Sequence, residues 1–367
     1  RVKTPWKVGS CRWTKELKAK AVIWLCGLTK KSILNLTESD YNENNLSELL
    51  FHQSPYDVNL EIYRKIHRSI TGWPGGKPDA DDTHRPERAK PVKKRVLILS
   101  PHPDDDVISM GGTFARLVDQ GHDVHVAYQT SGNIAVNNSD VLKFIEVFSE
   151  TSKSLKKEYQ SIINLLLNNN EIIDDKNVRN IATLIREKES LGATRFVGIS
   201  DNNVHFLRLP FYESGSIQKK PISEKDHQII EKLIKEVKPH QIFAAGDLAD
   251  PHGTHKICLD IFFNVLESLK NEKFMKDCWV WLYRGAWHEW EVHEIDMAIP
   301  MSPNQVLRKR NSIFYHQTQK DNVMFQGDDN REFWVRTEDR NRAIANKFRK
   351  LGMSDYTAIE TFKRHFF

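Results

Sequence analysis

Cysteine is scarce in this chain: of 367 residues only Cys11, Cys26, Cys258 and Cys278 carry a thiol, widely spaced and with no Cys-x-x-Cys pair. That excludes a cysteine-built zinc ribbon and a dense disulfide framework, and it predicts buried free thiols in a reducing compartment, the cytoplasm. Long apolar runs are missing too. The best, Ala21–Leu28, falls far short of the roughly 18 to 20 residues of a membrane span. Neither sign of charge dominates, since 54 basic and 49 acidic side chains leave a formal net charge of +5, a small excess over a mixed surface. The basic run Arg85–Arg95 lacks interleaved aromatics and adjoins a Pro-rich break, so it reads as a solvated connector and no nucleic-acid partner is expected. There is no internal repeat and no Gly-x-Gly-x-x-Gly fingerprint. Met110-Gly111-Gly112-Thr113 falls inside a helix start, which argues against a dinucleotide-binding module. Arg1 is not an initiator methionine, so the native start is expected to lie outside this sequence.

What is present suits an enzyme-sized core. With 39% hydrophobic residues the chain can bury one large core plus something smaller. Short apolar runs at Val96–Ser100, His122–Gln129, Val204–Leu209 and Gln241–Ala245 read as strands. Helical patterns fill Val107–Gln120, Val141–Asn168, Asn177–Leu191, Glu224–Val237 and Lys256–Lys270 between and after them. Such alternation predicts an α/β fold, a mostly parallel sheet covered by helices on both faces. Ahead of it, residues 1–75 carry helical signals at Tyr41–Leu50 and Tyr56–Ile70, and residues 76–92 form a Pro-, Gly- and charge-rich linker to a domain over 93–367. The alternating Trp279 and Trp281, with Trp287 and Trp290, read as core packing before sugar stacking, and His288 and His293 as structural.

Two loops carry the chemistry. His102-Pro103-Asp104-Asp105-Asp106 follows the first strand, and Asp250-Pro251-His252-Gly253-Thr254-His255 follows the strand Gln241–Ala245. Ligands of open α/β sheets sit beyond the carboxyl ends of the strands, so both clusters converge on one rim. An Asp-rich turn alone would equally suit a helix cap. Joined to two histidines, it offers the mixed nitrogen and oxygen donor set of a hydrolytic zinc with one position open.

Pro-His-Pro-Asp-Asp-Asp, followed by Gly111-Gly112-Thr113 and the later His-x-x-His, resembles the PIG-L/LmbE-type zinc deacetylases, which act on N-acetylglucosaminyl compounds. Arg186-Glu187-Lys188-Glu189 is similar to the family's Arg-x-x-Glu helix, and Phe206-Leu207-Arg208-Leu209-Pro210 to its Leu-x-Leu-Pro strand. Lys309, His316, Thr318 and Gln319 loosely match a Lys-to-His-x-Ser-Gln stretch, so the likeness covers roughly Lys93 to Gln319. The first segment resembles the tail of glucosamine-6-phosphate deaminase-like proteins fused to such a deacetylase. No deaminase site is recognisable in it.

The resemblance implies an LmbE-like, Rossmann-like fold and a single zinc, or another divalent transition metal, held by His102, Asp105 and His255. It makes Asp104 the general base and His252 the group facing the oxyanion. Asp106 replaces the commoner Glu, and Asp250 stands where some members carry a tyrosine. Arg186 becomes a substrate-binding residue, otherwise an i,i+3 surface pair with Glu189. Asp247 or Asp250 is expected to orient a ligand histidine. The implied partner is a small amino-sugar substrate, free, phosphorylated or conjugated, with a homo-oligomer possible. The rival readings are a metal-dependent phosphoesterase and a non-catalytic module supporting a deaminase-like domain; metal content and acetate release separate them.

Overall fold

The computed structural model of the chain describes residues 13–79, 91–151, 153–168, 175–214, 218–249, 253–285, 287–320 and 331–367. Cys11 and residues 80–90 of the expected linker lie outside them; Cys26, Cys258 and Cys278 are buried free thiols. Among the described residues no helix is long and apolar enough to cross a membrane.

Local capping explains where the first helices begin. α1 (Lys15–Thr29) starts at Thr14, whose hydroxyl accepts the Leu17 N–H at 3.1 Å. α2 (Glu38–Glu43) and α3 (Pro55–Ser69) start from the capping boxes Thr37/Asp40 and Ser54/Asp57, the latter with Pro55 in its first turn. The helix expected over Tyr41–Leu50 is instead the end of α2 plus a 3₁₀ turn at Ser47–Leu50, because Asn45 at φ +59° breaks the run. The buried stripes Ala19, Val22, Leu25 and Val58, Ile62, Ile66 share one apolar cluster with Ala298, Phe348 and Ile359.

The rest is built on seven strands. In chain order come β1 (Arg95–Ser100), α4 (Asp105–Asp119), β2 (Asp123–Tyr128), α5 (Asn138–Thr151), α6 (Lys153–Leu167), α7 (Lys176–Val197) and β3 (Val204–Phe206). Then follow α8 (Glu224–Val237), β4 (Gln241–Ala245), α9 (Thr254–Leu269), β5 (Trp279–Tyr283), β6 (Met297–Met301), α10 (Pro303–Ile313), α11 (Gln317–Lys320), α12 (Phe333–Lys350) and β7 (Ala358–His365). Their spatial order is β3-β2-β1-β4-β5-β7-β6, with β1 to β5 parallel and β6 and β7 antiparallel at one end. The fold is thus α/β and Rossmann-like, with a small helical segment ahead of it.

Strand alternation feeds two cores. Leu97 and Leu99 of β1 face the apolar residues of α8 and α9, while Val96 and Ile98 face those of α4 and α7. Trp281 and Trp290 are buried core residues, whereas Trp287 is half-buried against Phe333. Two elements differ from the sequence reading. The single helix expected over Val141–Asn168 is the pair α5 and α6, packed on a shared cluster of Val141, Ile145, Ile162 and Leu166. The strand expected to reach Leu209 stops at Phe206: Arg208 turns the chain at φ +46°, although Leu207 and Leu209 still donate to the Tyr128 and Gln129 carbonyls at 2.9 Å.

Chain order reverses between β1 and β4, the two central strands, paired in parallel from Val96–Gln241 to Leu99–Ala244. A crevice opens beyond their carboxyl ends because the following connections leave in opposite directions. α4, which starts at that crevice, is interrupted at Met110 (φ −135°, ψ 24°). The backbone groups freed there find other partners. Thr337 Oγ1 donates to the Ile108 carbonyl at 2.7 Å, and Glu360 accepts the Gly112 and Thr113 N–H groups at 3.0 and 2.6 Å.

Candidate metal centre and active site

After β1 the chain folds into a tight turn. Ser100 Oγ donates to the His102 carbonyl at 2.6 Å and accepts the Asp106 N–H at 3.1 Å, which places Asp105 and Asp106 in the first turn of α4. Asp105 Oδ2 reaches back to accept the His102 N–H at 2.9 Å. After β4, Gly253 at φ +65° begins α9, so His255 stands in the helix's first turn. A residue with a side chain would be strained at that angle.

Three donor atoms meet there. Asp105 Oδ2 lies 3.2 Å from His102 Nδ1 and 3.1 Å from His255 Nε2, and the two nitrogens are 3.2 Å apart. Among the described residues this trio is the one group of three metal-ligating side chains whose donor atoms come together. His255 Nδ1 lies 2.9 Å from the Asp247 carbonyl, which can only accept, so Nδ1 carries a proton, and in the neutral ring Nε2 is the nitrogen left with a lone pair. A lone pair 3.1 Å from a carboxylate oxygen is repulsive unless a cation lies between them. A proton bridges one such edge; a metal ion spans all three. Four-coordinate zinc, with bonds of about 2.0 to 2.1 Å, sets its ligand atoms roughly 3.3 Å apart, close to the spacing seen here.

The adjacent carboxylates divide. Asp104 turns away from the histidines toward Arg186, whose Nη2 donates to Asp104 Oδ2 at 3.2 Å and to the Pro103 carbonyl at 2.9 Å. Burial raises the Asp104 carboxyl above its ordinary range, with Arg186 opposing. Burial also disfavours ionised Asp105, but the neighbouring His255 and His102 outweigh it and hold this carboxyl well below the usual range. Asp106 faces elsewhere: its Oδ2 accepts the Tyr128 hydroxyl at 3.0 Å, and burial pushes it up to about 7. One oxygen anchored among nitrogens beside one carboxyl poised to take a proton is a division that a hydrolytic site uses.

Of the residues singled out in the sequence, His102, Asp104, Asp105, Arg186, Asp247 and His255 come together on this rim. Asp250 and His252 lie outside the described residues. Asp247 orients His255 through its main-chain carbonyl; its carboxylate accepts the Trp287 and His288 N–H groups, both at 2.7 Å, and so pins the loop after β5 to the site. Arg186 is fully buried, which ends its reading as a surface pair with Glu189. Glu189 instead accepts the Thr318 N–H and hydroxyl at 2.7 and 2.8 Å. Sequence reasoning missed Tyr212, whose ring stands edge-on to His102 with centroids 6.4 Å apart. No spacing signal marks it, because it follows Pro210 in the irregular loop after β3.

Residues 97–266 match the family model described as PIG-L: GlcNAc-PI de-N-acetylase. The chain is 51% identical over 374 residues to a glucosamine-6-phosphate deaminase-like protein of Bacteroides thetaiotaomicron, covering 99% of this chain and 56% of that protein. A 48-residue stretch is 42% identical to diacetylchitobiose deacetylase of Thermococcus kodakarensis, covering 13% of this chain and 18% of that one. The N,N'-diacetylchitobiose deacetylase structure of Pyrococcus horikoshii matches over 74% of this chain and 83% of its own, with 19% identity and a TM-score of 0.46. The chain therefore spans little more than half of the first relative and under a fifth of the second.

Proposed function

We propose that this chain, whose residues 97–266 match the PIG-L family model, hydrolyses the acetamide of an N-acetylglucosamine-type substrate, releasing acetate and an amino sugar. The observation that carries this reading is the triangle of Asp105 Oδ2, His102 Nδ1 and His255 Nε2 with 3.1 to 3.2 Å edges beside the separately held Asp104. His102, Asp105 and His255 would hold a zinc ion, which would supply Lewis acidity at the site when bound. Asp104, raised by burial, accepts the proton of the attacking water and returns it to the departing nitrogen. Arg186 steadies Asp104 on one side and the substrate on the other. His252, three residues before His255 in sequence, takes in this reading the oxyanion-stabilising role that the family resemblance implies.

Acetate release from a panel of N-acetylated amino sugars, with and without a 6-phosphate, tests the reading, alongside elemental analysis of protein purified without added metal. The expected result is about one equivalent of zinc per chain and release that chelation abolishes. Below about a tenth of an equivalent, with no binding on titration and no acetate, the reading is wrong. A narrower expectation concerns Arg186. Arg186→Ala should raise KM more than it lowers kcat, since a guanidinium grips hydroxyls in a fork before the chemical step. Steady-state kinetics decide it, and an unchanged KM makes Arg186 purely structural.

A further inference from the structure

Beyond Asp104 the rim is held by one face of α7. Thr183 accepts from Asn133 Nδ2 at 3.0 Å, Arg186 lies under Gly132, and Glu189 binds Thr318 one turn later. Gly132 sits at φ +62°, and a Cβ there would come within 2.9 Å of the Pro103 ring and 3.2 Å of Arg186 Nη2. The loop after β2, the turn after β1, α7 and the α10–α11 turn are thus pressed together beside Asp104. Gln319 Nε2 completes the join by donating to the Ala135 carbonyl at 2.8 Å.

The segments that meet here carry buried polar atoms without a hydrogen-bond partner: Arg186 Nε and Nη1, Ser131 Oγ, Asn133 Oδ1 and both ring nitrogens of His316. His316 is 1% exposed. Unpaired buried groups cost stability, and a fold retains them where a function uses them. Here four side chains from three segments share the feature, and one of them, Arg186, bonds the proposed base.

We propose that His316, with Arg186, Ser131 and Asn133, forms the subsite that receives ring hydroxyls of the substrate, and that His316 is a specificity-determining residue. The proposal rests on the deacetylase reading and names the part of the sugar the site recognises. Burial and the neighbouring Arg186 push His316 down to about 3, so its imidazole is uncharged at neutral pH and offers one donor and one acceptor. Each hydroxyl is likewise donor and acceptor. The donor-only guanidinium nitrogens, the acceptor Asn133 Oδ1 and the two-way Ser131 Oγ complete a set that matches several hydroxyls.

The test compares zinc-loaded wild type, His316→Leu and His316→Gln in acetate release from N-acetylglucosamine, in glucosamine binding by calorimetry, and in zinc content and Tm. His316→Leu should raise KM roughly tenfold, the loss of about one hydrogen bond, with zinc content unchanged and Tm equal or higher. His316→Gln, which keeps a donor and an acceptor, should recover part of the loss. An unchanged KM in the leucine variant, or a fall in Tm that tracks the activity of both variants, returns His316 to packing and overturns the proposal. If wild type releases no acetate from any N-acetylated sugar, the deacetylase reading fails by itself. Glucosamine affinity then judges the subsite alone: weaker binding by His316→Leu upholds it, and equal or absent binding in wild type and variant overturns it.

Discussion

Asp104→Asn should keep its metal and lose most of its turnover, about 10²- to 10⁴-fold, or roughly 2.7 to 5.4 kcal/mol of transition-state stabilisation. An amide of the same size still accepts the Arg186 hydrogen bond but cannot take a proton from water. Asp105→Asn should behave differently. Asp105 Oδ2 faces both His102 Nδ1 and His255 Nε2, and a neutral amide oxygen in that place is a poorer zinc ligand. Zinc affinity should fall at least about tenfold, with activity following the occupancy. Metal titration run beside kinetics on both variants checks the pair. Metal lost from Asp104→Asn and kept by Asp105→Asn would reverse the two roles, and full activity in both would end the hydrolase reading.

Lys309→Met should cost roughly 3 to 5 kcal/mol of stability, the usual result of stripping one partner from a buried ion pair. Lys309 is 1% exposed and donates to Glu360 at 2.8 Å, to Asn341 at 2.9 Å and to the Ser109 carbonyl at 3.5 Å. Glu360 in turn holds the N–H groups freed where α4 breaks at Met110. Without the ammonium, a carboxylate stays buried with neutral donors alone. Adding Glu360→Gln should regain about half the loss, because removing both charges together leaves neither uncompensated. Urea unfolding of the single and double variants measures both. A single variant within about 0.5 kcal/mol of wild type would show that the pair is not what closes the break.

The parallel half of the fold and the convergence of His102, Asp105 and His255 were legible because each rests on a local signal. Val96–Ser100 and Gln241–Ala245 are short apolar runs, and the histidines and aspartates directly follow them. The antiparallel end was not legible. β6 contains Pro300, which reads as a strand breaker until its place at the end of the strand order is known, and β7 mixes Thr361, Lys363 and Arg364 into its run. Within the site, periodicity gave a helix bearing Arg186 but not its burial. That depends on Gly132 and Pro103, far off in sequence, closing over it. The contact of Asp247 with His255 was anticipated for a side chain and made by a carbonyl, since backbone direction leaves no trace in composition.

β6 lies last in the strand order, and the segment before the linker closes that edge. Ile70 forms a parallel bridge with Ala298, and the Thr71 N–H donates to the Ala298 carbonyl at 2.9 Å. An open edge bearing Met297, Ile299 and Met301 is a template for pairing with other chains, a hazard that folded proteins suppress by covering such strands. What reads in sequence as a detachable tail therefore covers part of that edge: trimming the chain to the unit after residue 92 should uncover an apolar strand and invite self-association.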